Sequence, residues 1–265
     1  MKFGFIGSGK MASALVRGVT QSGAVTAELI LVTDVLPAAA QRLAKEMGVT
    51  ALATNAEVAS AAETLVLCVK PQDAIAALRA IETKGKLLIS IVAGLPIAAL
   101  QEAAGAGARI IRVMPNTPAL VHQGAAAYAL GAGATNEDAA VAEKIFGAVG
   151  KVVRVKEALI DVVTGLSGSG PAYIYLVIEA MADGAVLMGL PRDLALQLAA
   201  QTVLGAASMV LQTGEHPSVL RDQVTSPGGT TIAALEALEA SGARAAFIAA
   251  VRAATERAHE LGTTK

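Results

Sequence analysis

The sequence predicts an α/β domain built on a mostly parallel sheet, followed by an all-helical domain. Three observations carry this expectation. A Gly-x-Gly-x-x-Ala string directly follows the first β-like run, β-like and helical stretches alternate up to about residue 156, and only helical patterns occur after Asp161.

The β-like runs are residues 2–6, 29–33, 64–69, 87–92, 109–113, 124–130 and 151–155. Met11, Ala14, Leu15, Gly18 and Val19 follow the i, i+3, i+4, i+7, i+8 rule of an amphipathic helix. Strands separated by helices of that length imply βαβ units. Helical patterns then cover 170–188, 192–212, 230–241 and 243–261, with Pro171 near a start and Gly189-Leu190-Pro191 as a stop. Residues 194–210 are apolar nearly all round, which predicts a helix buried on every side. The boundary is placed at 158, giving a dinucleotide-binding domain over 1–158 and a helical domain over 159–265.

Composition bounds the function. Hydrophobic residues make up 54% and charged residues 16%, with 3% aromatics and no Trp, so the core rests on Ala, Val, Leu and Ile. So apolar a surface also predicts helix faces covered by a second subunit. The net charge is −1, from 21 basic and 22 acidic residues without a basic stripe, which argues against nucleic acid. No stretch reaches the ~18 uninterrupted apolar residues of a membrane helix. The longest, 87–100, is broken by Ser90, Gly94 and Pro96. No membrane partner and no leader are expected, and the location is taken as cytoplasmic. Cys68 is the lone cysteine, so neither a disulfide nor a Cys-based metal site is expected. It reads as a buried strand thiol.

Gly7-Ser8-Gly9-Lys10-Met11-Ala12 follows a strand and opens a helix, the context in which such a string seats a pyrophosphate. Gly7 permits the tight turn, Gly9 lets the backbone approach the anion, and Ala12 lets the helix pack on the strand. This predicts a Rossmann-type nicotinamide site. Asp34 ends the second run, where an acidic residue hydrogen-bonds the adenosine ribose and repels a 2′-phosphate. No Arg or Lys stands beside it in sequence until Arg42, so the cofactor, NADH or NADPH, leans to NADH. A helix-capping Asp before Leu36-Pro37 is the simpler alternative. Val69-Lys70-Pro71, the run 91–94 containing Ala93, and the rigid Met114-Pro115-Asn116-Thr117-Pro118 loop leave strands at the ligand-binding edge. Lys70 there is read equally well as a solvated loop lysine.

In the helical half, the Ser167–Pro171 cluster and Val224-Thr225-Ser226-Pro227-Gly228-Gly229-Thr230-Thr231 each open a helix with several backbone N–H groups, a seat for a small carboxylate or simply a capped helix. Residues 157–264 contain no Lys and no Asn, and Tyr128, Tyr173 and Tyr175 are not followed by Lys at +4. His122, His216 and His259 read as surface residues. A site without an obvious strong acid suits a substrate whose nitrogen is already protonated, such as an iminium ion.

These residues resemble the pyrroline-5-carboxylate reductase family over nearly the whole chain: Gly7–Ala12, Val69-Lys70-Pro71, 112–118, 164–173, and above all 220–236, which is similar to that family's signature. The resemblance implies NAD(P)H-dependent reduction of 1-pyrroline-5-carboxylate to L-proline, the last step of proline biosynthesis. It implies a helical dimerisation domain, at least a homodimer and by family pattern a homodecamer, with sites shared between subunits. Carried over by position, Ser8, Lys10 and Met11 touch the pyrophosphate, Asp34 and Asn55 lie by the adenosine, and Val69, Lys70 and Ala93 lie nearer the nicotinamide. Ser226, Gly228, Gly229, Thr230 and Thr231 hold the substrate carboxylate, Thr231 reaches the ring nitrogen as the catalytic side chain, and Glu157 contacts the substrate region. No metal is implied. A reductase of another small imine or ketoacid, or a dinucleotide sensor without catalysis, are the alternatives.

Overall fold

The computed structural model describes residues 1–263. Its chain divides into two compact units, residues 1–169 together with the chain from Arg252 onward, and residues 170–251. The first unit alternates β1 (Phe3–Ile6), α1 (Lys10–Gln21), β2 (Ile30–Thr33), α2 (Pro37–Met47), β3 (Thr50–Ala51), α3 (Asn55–Ala61), β4 (Thr64–Leu67), α4 (Pro71–Arg79), β5 (Leu87–Ser90), α5 (Ile97–Ala104), β6 (Arg109–Met114), β7 (Gly124–Leu130), α6 (Asn136–Gly147) and β8 (Gly150–Arg154). The short α7 (Ile160–Val163) continues into a π-helical turn, Thr164–Gly168.

The sheet order is β3-β2-β1-β4-β5-β6-β7-β8, and every neighbouring pair is parallel except β6 with β7. The chain reverses its direction of progress across the sheet beside β1, so the crevice for a ligand opens at the carboxyl ends of β1 and β4. Both faces are covered by helices. Phe3, Phe5, Val66, Leu87 and Ile89 point into one apolar layer, and Ile6, Leu65, Leu67 and Leu88 into the other. That two-sided burial is why the strands read as continuous apolar runs rather than alternating ones. The two-residue β3 is too short to leave a periodic signal.

The helical second unit holds α8 (Gly170–Leu187), α9 (Arg192–Thr213), α10 (Pro217–Gln223), α11 (Thr230–Ala240) and the first part of α12 (Ala243–Thr263). The compact boundary falls at 169 rather than 158 because 157–168 is tied to β6. Arg112 pairs with Glu157 and Asp161, and the Asn116 amide donates to the Ser167 carbonyl. Residues 264–265 of the expected helical domain lie outside the described residues.

One expectation for this half is corrected. Residues 194–210 are not buried on every side: in α9 only Ala195 and Ala199 are buried, while Leu198 is 58% and Leu204 56% exposed. An all-round apolar pattern cannot distinguish cover from the same chain and cover from another one. The stretches Glu157–Leu187 and Arg192–Thr213 are also long and apolar enough to cross a membrane by length and composition, although only 6% and 11% of their most apolar windows are buried. Neither is an uninterrupted apolar run, because single Gly, Ser and Thr residues break the pattern while barely lowering the mean hydropathy.

Candidate functional site

The site begins at the turn leaving β1. Gly7 adopts φ +97°, and a Cβ there would stand 2.8 Å from the Cys68 carbonyl oxygen at the end of β4. No L side chain is compatible with both. The Gly7 N–H donates to the Thr33 carbonyl at 2.9 Å, so the turn is stitched to β2. Gly9 caps α1 at an ordinary φ of −70°, with nothing within 4 Å of where its Cβ would project. The first N–H groups of α1, those of Lys10, Met11 and Ala12, have no intrahelical acceptor by helix geometry. At the positive end of a twelve-residue helix they form a seat for an anion.

Ser8 turns inward. It is 2% exposed, its hydroxyl donates to the Thr33 carbonyl at 3.0 Å, and its N–H donates to Asp34 Oδ2 at 2.7 Å. The expected contact of Ser8 with a pyrophosphate is therefore not what its side chain is arranged for. Asp34 does two jobs at once. Its other oxygen accepts the Leu36 N–H at 2.9 Å, an Asx-type turn that leads into α2. The capping role and a position at the ligand edge are thus not exclusive.

Asp34 stands between two cavities. One, of about 680 Å³, brings together Gly7, Gly9, Asp34, Asn55, Val69 and Lys70. The other, of about 420 Å³, is lined by Ser8, Lys10, Arg17, Asp34, Arg42 and Glu46 among others. Sequence spacing put no cation next to Asp34. The fold puts Lys10 and Arg17 from α1 and Arg42 from α2 around the same hollow, with Arg17 paired to Glu46 at 2.5 Å. Only the packing of α1 beside α2 could reveal that. Met11, Pro71, Ala93 and Asn116 line neither cavity. Pro71 opens α4 with Lys70 as its cap residue.

Asn116 is a brace. It is 8% exposed, its Oδ1 accepts the Ala125 N–H at 2.8 Å, and its Nδ2 donates to the Ser167 carbonyl at 3.0 Å. One bond at each end of the amide ties β7 to the π-helical turn, a structural role for this side chain beside the expected cofactor contact. Glu157 is similarly engaged. Its carboxylate accepts the Ile97 N–H at 2.6 Å, at the start of α5, and lies 3.5 Å from Arg112 Nη1.

In the second unit, Ser226-Pro227-Gly228-Gly229 forms a tight turn. The Gly229 N–H donates to the Ser226 carbonyl at 3.1 Å, and Gly228 takes φ +67°. Pro followed by a residue of positive φ is the requirement of a type II turn. Gly229 then caps α11, so Thr230 and Thr231 occupy its first turn. Ser226 and Thr230 are exposed and Thr231 is half-buried. The turn presents hydroxyls beside N–H groups of the helix start.

The side chains that could donate a proton are mostly occupied. The Tyr128 hydroxyl donates to Glu143 at 2.5 Å, and burial followed by the Glu143 contact pushes its pKa up to about 12. The His216 ring accepts the Ser218 N–H and caps α10. His122 contacts the Ala148 carbonyl, and His259 lies beside Asp161. Cys68 has its thiol pushed well above the ordinary range by desolvation. Among the described residues no group of three His, Cys, Asp or Glu could hold a metal ion.

Comparison with known proteins adds the following. Residues 157–261 match the family model for pyrroline-5-carboxylate reductase dimerisation, and residues 2–94 match that for coenzyme F420-dependent NADP oxidoreductases. The pyrroline-5-carboxylate reductase of Methanosarcina acetivorans is 51% identical over 264 residues, covering 98% of each chain. That of Pisum sativum is 50% identical over 262 residues, covering 97% of this chain and 95% of its own. The solved structure of the Coxiella burnetii enzyme superposes with a TM-score of 0.93 at 37% identity, covering 99% of both chains. The Plasmodium falciparum enzyme with NADP bound gives 0.90 at 34% identity, over 99% of this chain and 98% of that one.

Proposed function

The chain belongs to the pyrroline-5-carboxylate reductase family, and on that premise we propose how its residues reduce 1-pyrroline-5-carboxylate to L-proline with a nicotinamide dinucleotide. The observation that carries the reading is the Gly7–Ala12 turn opening on a cavity at the β1–β4 crevice. The glycines leave room for a pyrophosphate where any side chain would intrude.

The N–H groups at the start of α1 hold the pyrophosphate, Asp34 and Asn55 face the adenosine, and Val69, Lys70 and Ala93 flank the nicotinamide. When bound, the reduced dinucleotide supplies the hydride that converts the imine carbon to the ring CH2 of proline. The Ser226–Thr231 turn anchors the substrate carboxylate on the N–H groups of α11, and the Thr231 hydroxyl orients the ring nitrogen. An iminium nitrogen already carries its proton, so hydride addition neutralises it without a strong side-chain acid. Positioning then does most of the work. The Ser226–Thr231 turn of one subunit serves the dinucleotide domain of another in at least a homodimer, with a homodecamer as the full assembly. The exposed apolar faces of α8 and α9 suit such cover, and sedimentation velocity measures the assembly size.

The direct test is the initial rate with pyrroline-5-carboxylate, compared between NADH and NADPH; no turnover with either removes the reading. Thr231→Ala is expected to lower kcat/KM about tenfold or more, the worth of a hydrogen bond to a charged group, with NADH affinity nearly unchanged. Unchanged turnover would remove Thr231 from the mechanism.

The lean toward NADH rests on Asp34, whose carboxylate opposes a 2′-phosphate. Lys10, Arg17 and Arg42 line the hollow on its other side, so the preference is a balance of charges. Asp34→Ser removes the repulsion and leaves the cations. The NADPH/NADH ratio of kcat/KM is expected to rise about tenfold or more, given the several kcal/mol of a close charge pair. The variant should also bind both cofactors more weakly, because a single hydroxyl cannot accept from both Ser8 N–H and Leu36 N–H as the two carboxylate oxygens do. Paired kinetics with the two cofactors measure this, and an unchanged ratio refutes it.

A further inference from the structure

We infer that Arg112, buried on β6, is a positioning residue for hydride transfer, holding the β5–α5 loop (residues 91–96) at its middle and at its end. The inference rests on the placement of the nicotinamide beside Ala93 proposed above.

Arg112 is 5% exposed in the middle of the sheet, an expensive place for a charge unless it is fully paired. Its Nη2 stands 2.9 Å from Asp161 Oδ1 and its Nη1 stands 3.5 Å from Glu157 Oε1. Each carboxylate passes the hold outward. Glu157 accepts the N–H of Ile97, the first residue of α5, at 2.6 Å, which fixes where the loop ends. A carboxylate at that helix start is also favoured by the helix dipole. The other oxygen of Asp161 lies 3.6 Å from His259 Nδ1 on α12.

Two and three residues beyond His259, the same helix lies against the loop itself. A Cβ on Gly94 would meet the Leu261 Cβ at 3.3 Å, and a Cβ on Gly262 would stand 3.0 Å from the Gly94 carbonyl oxygen. One guanidinium therefore organises two contacts on a six-residue loop. Its middle, at Gly94, is held against the last turns of α12, and its end is fixed by Glu157 at Ile97. A buried ion pair serving stability alone would need neither contact to converge on the loop that leaves β5.

Two variants of the full chain test this without touching a binding residue. Asp161→Asn weakens the hold on α12. Gly262→Ala pushes on the Gly94 carbonyl from the other side, at a helical position where alanine is favoured over glycine, so the helix propensity offsets part of the cost of that close contact and Tm is measured alongside. In the cofactor-free protein, amide hydrogen exchange of residues 91–95 is expected to speed up in Asp161→Asn. In both variants kcat should fall about tenfold, the scale of a sub-ångström misplacement, with NADH Kd and substrate KM nearly constant. The primary isotope effect from C4-deuterated NADH should rise, because hydride transfer becomes more rate-limiting.

Unchanged kcat and isotope effect in both variants overturn the inference. A loss of activity that only tracks a lower Tm, with the isotope effect constant, overturns it in favour of a purely structural ion pair. If Asp161→Asn fails to fold, Gly262→Ala carries the test alone. Amide exchange of 91–95 in the wild type with and without NADH tests the premise separately: absence of protection there removes the nicotinamide placement, whatever the variants do.

Discussion

Gly7→Ala is expected to cost on the order of 2–4 kcal/mol of stability and to abolish measurable dinucleotide binding, whereas Gly9→Ala should leave stability nearly intact and weaken binding only. The two glycines sit two residues apart in one motif but answer to different physics. Alanine at a positive φ costs about 1–2 kcal/mol by itself. At Gly7 the added Cβ also meets a backbone carbonyl, that of Cys68, 2.8 Å away. That oxygen cannot swing aside as a side-chain tip could, because Cys68 is held by its own N–H to the Ile6 carbonyl at 2.8 Å. Relief requires separating β1 from β4, the two strands whose ends form the crevice. Gly9 has an allowed φ and open space around its Cβ position, so its methyl meets only the incoming anion. Thermal unfolding together with fluorescence titration of NADH separates the cases. A Gly7→Ala protein of normal Tm and affinity would show that the turn adapts.

That contrast also shows how far the sequence could be read. The Gly-x-Gly-x-x-Ala string placed after a strand points to the turn, because a glycine directly after a strand and before a helix permits the positive φ that Gly7 adopts. Residues 226–231 were equally legible, since Pro before two glycines dictates a tight turn and a helix start. What escaped depends on neighbours distant in the chain. Ser8 reads as a pyrophosphate contact until the fold shows its hydroxyl and N–H committed to Thr33 and Asp34. Asn116 reads as a site residue in a rigid loop, and only the fold shows its amide tied to Ala125 and Ser167, the second of these 51 residues away. Lys10, Arg17 and Arg42 belong to two helices that no local pattern brings together. The apolar girth of α9 was legible as a pattern, but one chain's sequence does not say which chain covers it.

Arg112 is where the second large effect is expected. Arg112→Met should destabilise the protein by about 2 kcal/mol, the cost of leaving two partly buried carboxylates without their partner. This is less than the roughly 3–5 kcal/mol of a fully buried orphan charge, because Asp161 keeps 22% and Glu157 36% of its side-chain surface accessible. The loss belongs to the orphaned charges rather than to a missing attraction, and this can be checked. The triple variant Arg112→Met, Glu157→Gln, Asp161→Asn retains the apolar volume and the acceptor for the Ile97 N–H, and it leaves no unpaired charge. It should recover most of the lost stability, because a buried ion network replaced by neutral groups of similar size is often close to neutral. Activity should not recover with it. A methionine cannot direct two side chains in fixed geometry as a planar guanidinium does, so the β5–α5 loop regains its fold but not its registration. Tm and kcat measured on the single and triple variants therefore move together in the first and apart in the second. If kcat returns in step with Tm, the arginine is serving stability alone, and the convergence of Glu157 and α12 on residues 91–96 has no catalytic consequence.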